Sequence, residues 1–347
     1  MQMRFYQEYT FDIIARLVMG QKGCKMFENQ HCDYVRNILA SPIDKSITRF
    51  AVCFPFTIEW ILYARRRFGV PHAIDNIQKV MRNAVVERMQ QREKMISEGT
   101  FTAETYTPQD FIDLFLDAYN DETVTDTDPF TIHDVKVSKQ MSLDEVVAQC
   151  IVFVIAGFDT TAISLSYLSY HLANHPEVVA RMREEIDEYC VDEDMSYETL
   201  SKLKYMECAI KESLRMHPLG APAASRKCMH TTMVGGYKVE EGTMLQADVL
   251  SIHFDKTIWG EDADEFNPSR WETTEKRHPA SWMPFGGGPR MCIGQRLAYM
   301  DEKMALIHIL KKYDIVRGPD SEDKLDIFGA MVVQPRQVTV RIKTREQ

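Results

Sequence analysis

No stretch of the sequence runs for the ~18 apolar residues that a membrane-crossing helix needs. The longest apolar stretch, 146–158, is shorter and holds Gln149. The opening residues, MQMRFYQEYTFDII, lack the basic, apolar and small-residue succession of a signal peptide. Cysteine occurs eight times but never as CxxC, and only Cys24 and Cys32 lie close together. That weighs against a zinc site and against a disulfide framework, and favours buried, inert thiols in a reducing compartment. Positive charge is in deficit, with 41 Lys and Arg against 51 Asp and Glu and a formal net charge of −10. Such a surface disfavours nonspecific binding to nucleic acid or to an anionic membrane. Internal repeats and low-complexity tracts are also missing.

What remains is a chain of 347 residues, 45% hydrophobic and 27% charged, the balance of a soluble globular protein with a sizeable core. Spacing of apolar residues predicts helices over 11–19, 74–96, 108–119, 142–173, 176–189, 204–216 and 292–312. Ser142 and Glu145 form a capping box at the start of the fourth. A polar connector fills 120–141. Late in the chain the pattern changes. Gly235-Gly236 reads as a turn between strands 232–234 and 237–239, further strands are expected over 244–252 and 338–342, and 259–284 reads as a long coil. The fold class is therefore mainly α with small antiparallel β-sheets, an α+β arrangement.

Three clusters carry chemistry. In FGGGPRMCIG, residues 285–294, a glycine-rich turn delivers Cys292 to a helix start, where free amides and the helix dipole favour a thiolate. A cysteine near a helix start is ordinarily a buried structural thiol. Here turn, Arg290, thiol and helix start together suit the presentation of sulfur as an axial ligand to a planar metal cofactor. In KESLR, residues 211–215, Glu212 and Arg215 share one helix face. They form either an exposed intrahelical pair or, with Arg270 of FNPSRW, a buried clamp. In AGFDTT, residues 156–161, small Ala156 and Gly157 open a groove beside Asp159 and Thr160. The groove is either a packing notch between helices or a place where an acid and a hydroxyl pass protons to a bound oxygen.

Taken in this order, AGFDTT, KESLR, FNPSRW and FGGGPRMCIG resemble the cytochrome P450 family of haem-thiolate monooxygenases. The resemblance runs over essentially the whole chain. FPFTIEWIL at 54–62 and MSLDEVVAQCIVFVIAGFDTT at 141–161 resemble the microsomal, xenobiotic-metabolising branch. It implies one P450 domain over residues 1–347. It implies Cys292 as the axial ligand of the haem iron, its thiolate pushing electron density onto the metal. It further implies a structural triad of Glu212, Arg215 and Arg270, with Arg290 and Arg226 at the haem propionates. Phe285 would lie beside the sulfur, Gly294 would let the helix start close under the ring, and Ala156 and Gly157 would lie above it. Asp159 and Thr160 match the acid–alcohol pair that delivers protons to bound dioxygen.

The cofactor so implied is haem b (iron protoporphyrin IX), with O2 as co-substrate and NADPH supplying electrons through a reductase. The implied partners are a lipophilic small-molecule substrate and an NADPH-cytochrome reductase, with cytochrome b5 as a further electron donor and no nucleic acid. Substrate contacts are expected near Phe153, Ala156, Gly157 and Thr161 and in the turns 219–224 and 328–331. Lys204, Arg296, Lys303 and Lys311 are candidates for a basic patch that docks the reductase. Arg65, Arg66 and Arg67, after the aromatic stretch, are candidates for membrane contact. His31, His133 and His308 have no paired spacing and are expected to be ordinary. Members of this branch carry a longer N-terminal region with an anchor, the first strands and an early propionate-binding helix. The expectation is thus an N-terminally truncated P450 lacking one wall of its pocket, from a family placed on the cytosolic face of the endoplasmic reticulum membrane. Two alternatives stand beside the monooxygenase: a haem-thiolate isomerase of a peroxide, and a catalytically inactive fragment.

Overall fold

The computed structural model describes residues 3–23, 25–40, 54–68, 73–100, 106–119, 130–132, 135–137, 141–191, 195–220, 225–273, 277–329 and 332–345. Cys24, His133, residues 221–224 and 330–331 of the two expected substrate turns, and the side chains of Arg65 and Arg66 lie outside the described residues. The described chain is mostly helical, with two-stranded antiparallel sheets, as expected. It divides into two compact units, one of Glu8–Phe158 and one of Asp159–Gln347 together with Met1–Gln7.

In the first unit, α1 (Met3–Met19) supplies Phe11, Ile14 and Val18 to the core. α2 (Gln30–Ala40) packs on α4 (Ala73–Ser97), which in turn packs on α5 (Phe111–Leu116), while α3 (Ile58–Phe68) carries exposed aromatics. α5 starts later than the spacing suggested because Asp110 caps it. Its carboxylate accepts from the Asp113 amide at 3.1 Å and from Arg88 at 2.7 and 3.0 Å. The connector over 120–141 holds a hairpin of β1 (Phe130–Ile132) and β2 (Val135–Val137) that its polar composition concealed.

The long helix α6 (Leu143–Asn174) begins on the capping box. Glu145 accepts from the Ser142 amide at 2.8 Å, and the Ser142 hydroxyl accepts from the Glu145 amide at 3.4 Å. α6 matches the helix expected over 142–173 to within one residue at each end. One 18-residue window has a mean hydropathy of 1.9, enough by length and composition to cross a membrane, and half of that window is buried within the protein. In the first unit Phe158 meets Phe11 edge-to-face at 5.7 Å.

The second unit holds the rest of α6, α7 (Pro176–Tyr189), α8 (Tyr197–Lys202) and α9 (Lys204–Met216). Its core is built from Ile163, Leu168, Met182, Ile186, Ile210, Leu306 and Leu310, each worth ~1.5–3 kcal/mol of burial. β3 (Ser225–Lys227) pairs with β6 (Met244–Gln246), and β4 (Thr232–Val234) pairs with β5 (Tyr237–Val239) across the Gly235-Gly236 turn. The strand expected over 244–252 ends at Gln246. Asp248 then caps α10 (Val249–His253), accepting from the Ser251 amide at 3.0 Å, and α11 (Lys256–Trp259) follows. α12 (Gln295–Leu310) starts three residues later than expected, and β7 (Tyr313–Val316) pairs with β8 (Arg341–Thr344).

α12 also departs from its sequence reading in burial. Apolar Ile307 and Leu310 are buried, but Asp301, Glu302 and Lys303 are buried as well. Three consecutive helical residues cover about 200° of the circumference. That turn of α12 is therefore buried over more than half of its circumference, which the charges had concealed.

Candidate functional site

α9 presents Glu212 and Arg215 at i, i+3, both without solvent exposure, so the exposed-pair reading does not hold. Arg215 donates from Nε and Nη2 to the two Glu212 carboxylate oxygens, each at 2.9 Å. Arg270, on the 3-10 turn Pro268–Trp271, donates from Nε to Glu212 at 2.7 Å. The Asn267 amide at 3.1 Å and Trp271 Nε1 at 2.9 Å complete the set of donors around this one carboxylate. The spare guanidinium hydrogens of Arg215 reach the His253 and Ala263 carbonyls at 2.7 and 2.6 Å. Arg270 also meets Asp262, whose carboxyl Asn267 and Arg270 hold below its ordinary range. The result is a buried clamp that ties α9 to the long coil.

The clamp is joined to the cysteine loop. The Met283 amide donates to His253 Nε2 at 3.0 Å, and Trp282 Nε1 donates to the Lys211 carbonyl at 3.3 Å. The Gly286 amide then closes a turn on the Met283 carbonyl at 3.1 Å, and the Cys292 amide donates to the Phe285 carbonyl at 2.9 Å. Gly286 and Gly288 adopt φ values of +74° and +71°, left-handed backbone that favours glycine. Gly294 is the N-cap of α12 with an ordinary φ of −82°, so its backbone alone does not demand glycine.

Cys292 is exposed, whereas Cys32, Cys150, Cys190, Cys208 and Cys228 are buried. Burial pushes the Cys32 and Cys150 thiols up to about 12 and Cys208 up to about 11, which keeps them protonated and inert. Met291 and Ile293, on either side of Cys292, are 54% and 84% exposed. An exposed sulfur flanked by exposed apolar side chains suits a hydrophobic metal cofactor bound over it. Arg226 on β3 reaches the loop, donating to the Gly287 carbonyl at 3.4 Å. With Trp282, Phe285, Met291 and Gln295 it lines a cleft of about 620 Å³. Arg290 is exposed on the same loop. A soft sulfur donor, two nearby guanidinium groups and a glycine floor fit an iron porphyrin carrying carboxylates.

The AGFDTT residues divide between the units. In the first, a side chain at Gly157 would begin 2.7 Å from Ile14 Cδ1, so this glycine provides a packing notch for α1. Ala156 beside it is exposed, and Phe153 packs edge-on against Phe111 and Phe115 at 5.0 and 5.5 Å. In the second unit Asp159 and Thr160 are half-buried and Thr161 is buried. Gln7 of α1 donates from Nε2 to Asp159 Oδ1 at 2.9 Å, and Tyr6 and Ser169 share a 2.6 Å hydrogen bond.

Lys303 leaves the proposed basic patch. It is 4% exposed and donates to Glu207 and to the Leu200 carbonyl, both at 3.0 Å. Lys204 and Arg296 are exposed and Lys311 is half-buried. Sequence reasoning missed His253, Asn267, Asp262, Trp271 and Gln7. Their role comes from chain closure, and no local spacing announces it.

The fold is mainly helical, with an exposed cysteine on a glycine loop that is tied to a buried Glu–Arg–Arg clamp. The sequence profile of cytochrome P450 matches residues 2–341, and the chain belongs to that family. It is similar to several cytochromes P450 of Caenorhabditis elegans. CYP13A3 is 41% identical, over 99% of this chain and 66% of its own length. CYP13A10 is 42% identical, over 99% of this chain and 67% of its own length. The relative cyp-13B1 is 38% identical, over 98% and 66%. The chain thus spans about two thirds of the length of these relatives.

Proposed function

We propose that this chain is a haem-thiolate monooxygenase that inserts one oxygen atom of O2 into a lipophilic small molecule. The observation that carries the reading is Cys292, exposed on a glycine loop whose base is anchored through hydrogen bonds to a buried Glu–Arg–Arg clamp. Haem b bound there would supply oxygen activation and electron transfer. Cys292, three residues before the first residue of α12, gives the sulfur ligand. Arg226 and Arg290 bind the carboxylates of the cofactor. Phe285, whose carbonyl accepts from the Cys292 amide, lies beside the cysteine in the loop. On α6, Asp159 and Thr160 hold and pass protons, the carboxyl as acid and the hydroxyl as donor.

Electrons come from NADPH through a reductase, with cytochrome b5 as a further donor. Exposed Lys204 and Arg296 near the cysteine helix support docking of an acidic partner. Placement on the cytosolic face of the endoplasmic reticulum membrane is part of the proposal. In its favour, Phe56, Trp60, Tyr63 and Phe68 of the segment around α3 are each at least 65% exposed, with Arg67 among them.

The test is turnover of haem-loaded protein with a reductase, NADPH and a lipophilic substrate under 18O2. One labelled oxygen per product molecule is expected, dependent on the reductase. Rearrangement of a hydroperoxide without reductase, and no label from O2, would establish the isomerase instead. A folded protein that takes up no haem would establish a non-catalytic role.

A further inference from the structure

His253 lies between the clamp and the cysteine loop, and both nitrogens of its ring are used. It has no exposure to solvent. The Met283 amide donates to Nε2 at 3.0 Å, so Nε2 carries no hydrogen. Nδ1 therefore carries it and donates to the Arg215 carbonyl at 2.9 Å. The His253 carbonyl in turn accepts from Arg215 Nη1 at 2.7 Å. Arg215 and His253 are thus fastened by two bonds running in opposite directions. Beyond Met283 the path continues through its carbonyl to Gly286 at 3.1 Å, and through the Phe285 carbonyl to the Cys292 amide at 2.9 Å.

We propose that His253 is a positioning residue for Cys292: its neutral ring carries the rigidity of the buried clamp to the base of the cysteine loop and thereby fixes where the sulfur stands. The proposal rests on the reading of Cys292 as the iron ligand. Three features distinguish this from simple packing. A phenyl ring of similar volume would strand the Met283 amide and the Arg215 carbonyl, and buried groups without partners are costly. The ring is held neutral, because burial above all pushes its pKa down to about 4. A protonated ring would have no lone pair for the Met283 amide. The bond at Nε2 also ends on the segment that enters the glycine turn, so loss of that acceptor loosens the turn and not α9.

The variants His253→Gln and His253→Asn separate these roles. The longer Gln side chain places an acceptor where Nε2 stands, while Asn reaches only the Nδ1 position. In haem-loaded, reduced, carbon monoxide-treated full chain, His253→Gln should keep most of the red-shifted band of sulfur-ligated haem. His253→Asn should lose most of it to a shorter-wavelength band. In the haem-free chain, hydrogen exchange at the Met283 amide should speed up roughly tenfold or more in His253→Asn and stay close to wild type in His253→Gln. Exchange in α9 should be unchanged in both. Retention of the band and of Met283 protection in His253→Asn overturns the proposal, as does equal loss in both variants. A wild-type spectrum without the red-shifted band removes the ligand reading itself, and the exchange data then still decide whether His253 holds the loop.

Discussion

Glu302 offers a sharp test of how α12 is packed. Its side chain is 1% exposed, and burial, with the nearby Asp301 adding to it and Ser164 offsetting part, raises its pKa from 4.5 to about 8. Each tenfold change in acidity is worth about 1.4 kcal/mol, so ionised Glu302 destabilises the fold by on the order of 3–5 kcal/mol. The sign follows from proton counting. Between pH 4.5 and about 8 the folded chain holds a proton that the unfolded chain has released. Stability therefore falls as pH rises through that window and levels off above it. Glu302→Gln keeps the shape and removes the titration. Urea unfolding of wild type and variant should give nearly equal stability at about pH 4.5, with the variant gaining steadily up to pH 8. Because whole domains are held by only ~5–15 kcal/mol, the gap is easily measured. A difference that does not change with pH, or a variant less stable at pH 8, would refute the burial argument. Asp301, raised to about 7 by burial, should behave the same way with a smaller window.

Two further outcomes are expected. Glu212→Gln removes the carboxylate partner of Arg215, 0% exposed, and leaves Arg270, 6% exposed, with Asp262 alone, and should cost about 3–5 kcal/mol in urea unfolding. A loss under about 1 kcal/mol would show that the clamp does not stabilise the fold. Thr160→Ala should bind haem normally yet divert a several-fold larger share of NADPH into peroxide; unchanged coupling of NADPH to product would end its role in proton delivery.

The sequence exposes what local rules decide. The capping box at Ser142 and Glu145, the Gly235-Gly236 turn and the helices 176–189 and 204–216 all appear where side-chain spacing places them. The clamp is legible only in outline. Spacing aligns Glu212 with Arg215, but the donors from Asn267 and Trp271 depend on where the coil returns. The region 244–252 looked like one strand because Leu245, Val249 and Ile252 are apolar or branched. Asp248 breaks it, since its carboxylate satisfies amides that only a helix leaves open. Asp301, Glu302 and Lys303 misled for the opposite reason: charge ordinarily signals solvent, and here burial overrides it. Gly157 reads equally well as a ligand groove or a helix notch until Ile14 is placed against it.

The central claim is that Cys292 is the sulfur that binds iron. Electron paramagnetic resonance of the ferric, haem-loaded chain addresses it directly. Wild type should give the low-spin signature of sulfur-ligated haem, and Cys292→His should replace it with that of nitrogen ligation. The same sulfur signature in both proteins would contradict the account.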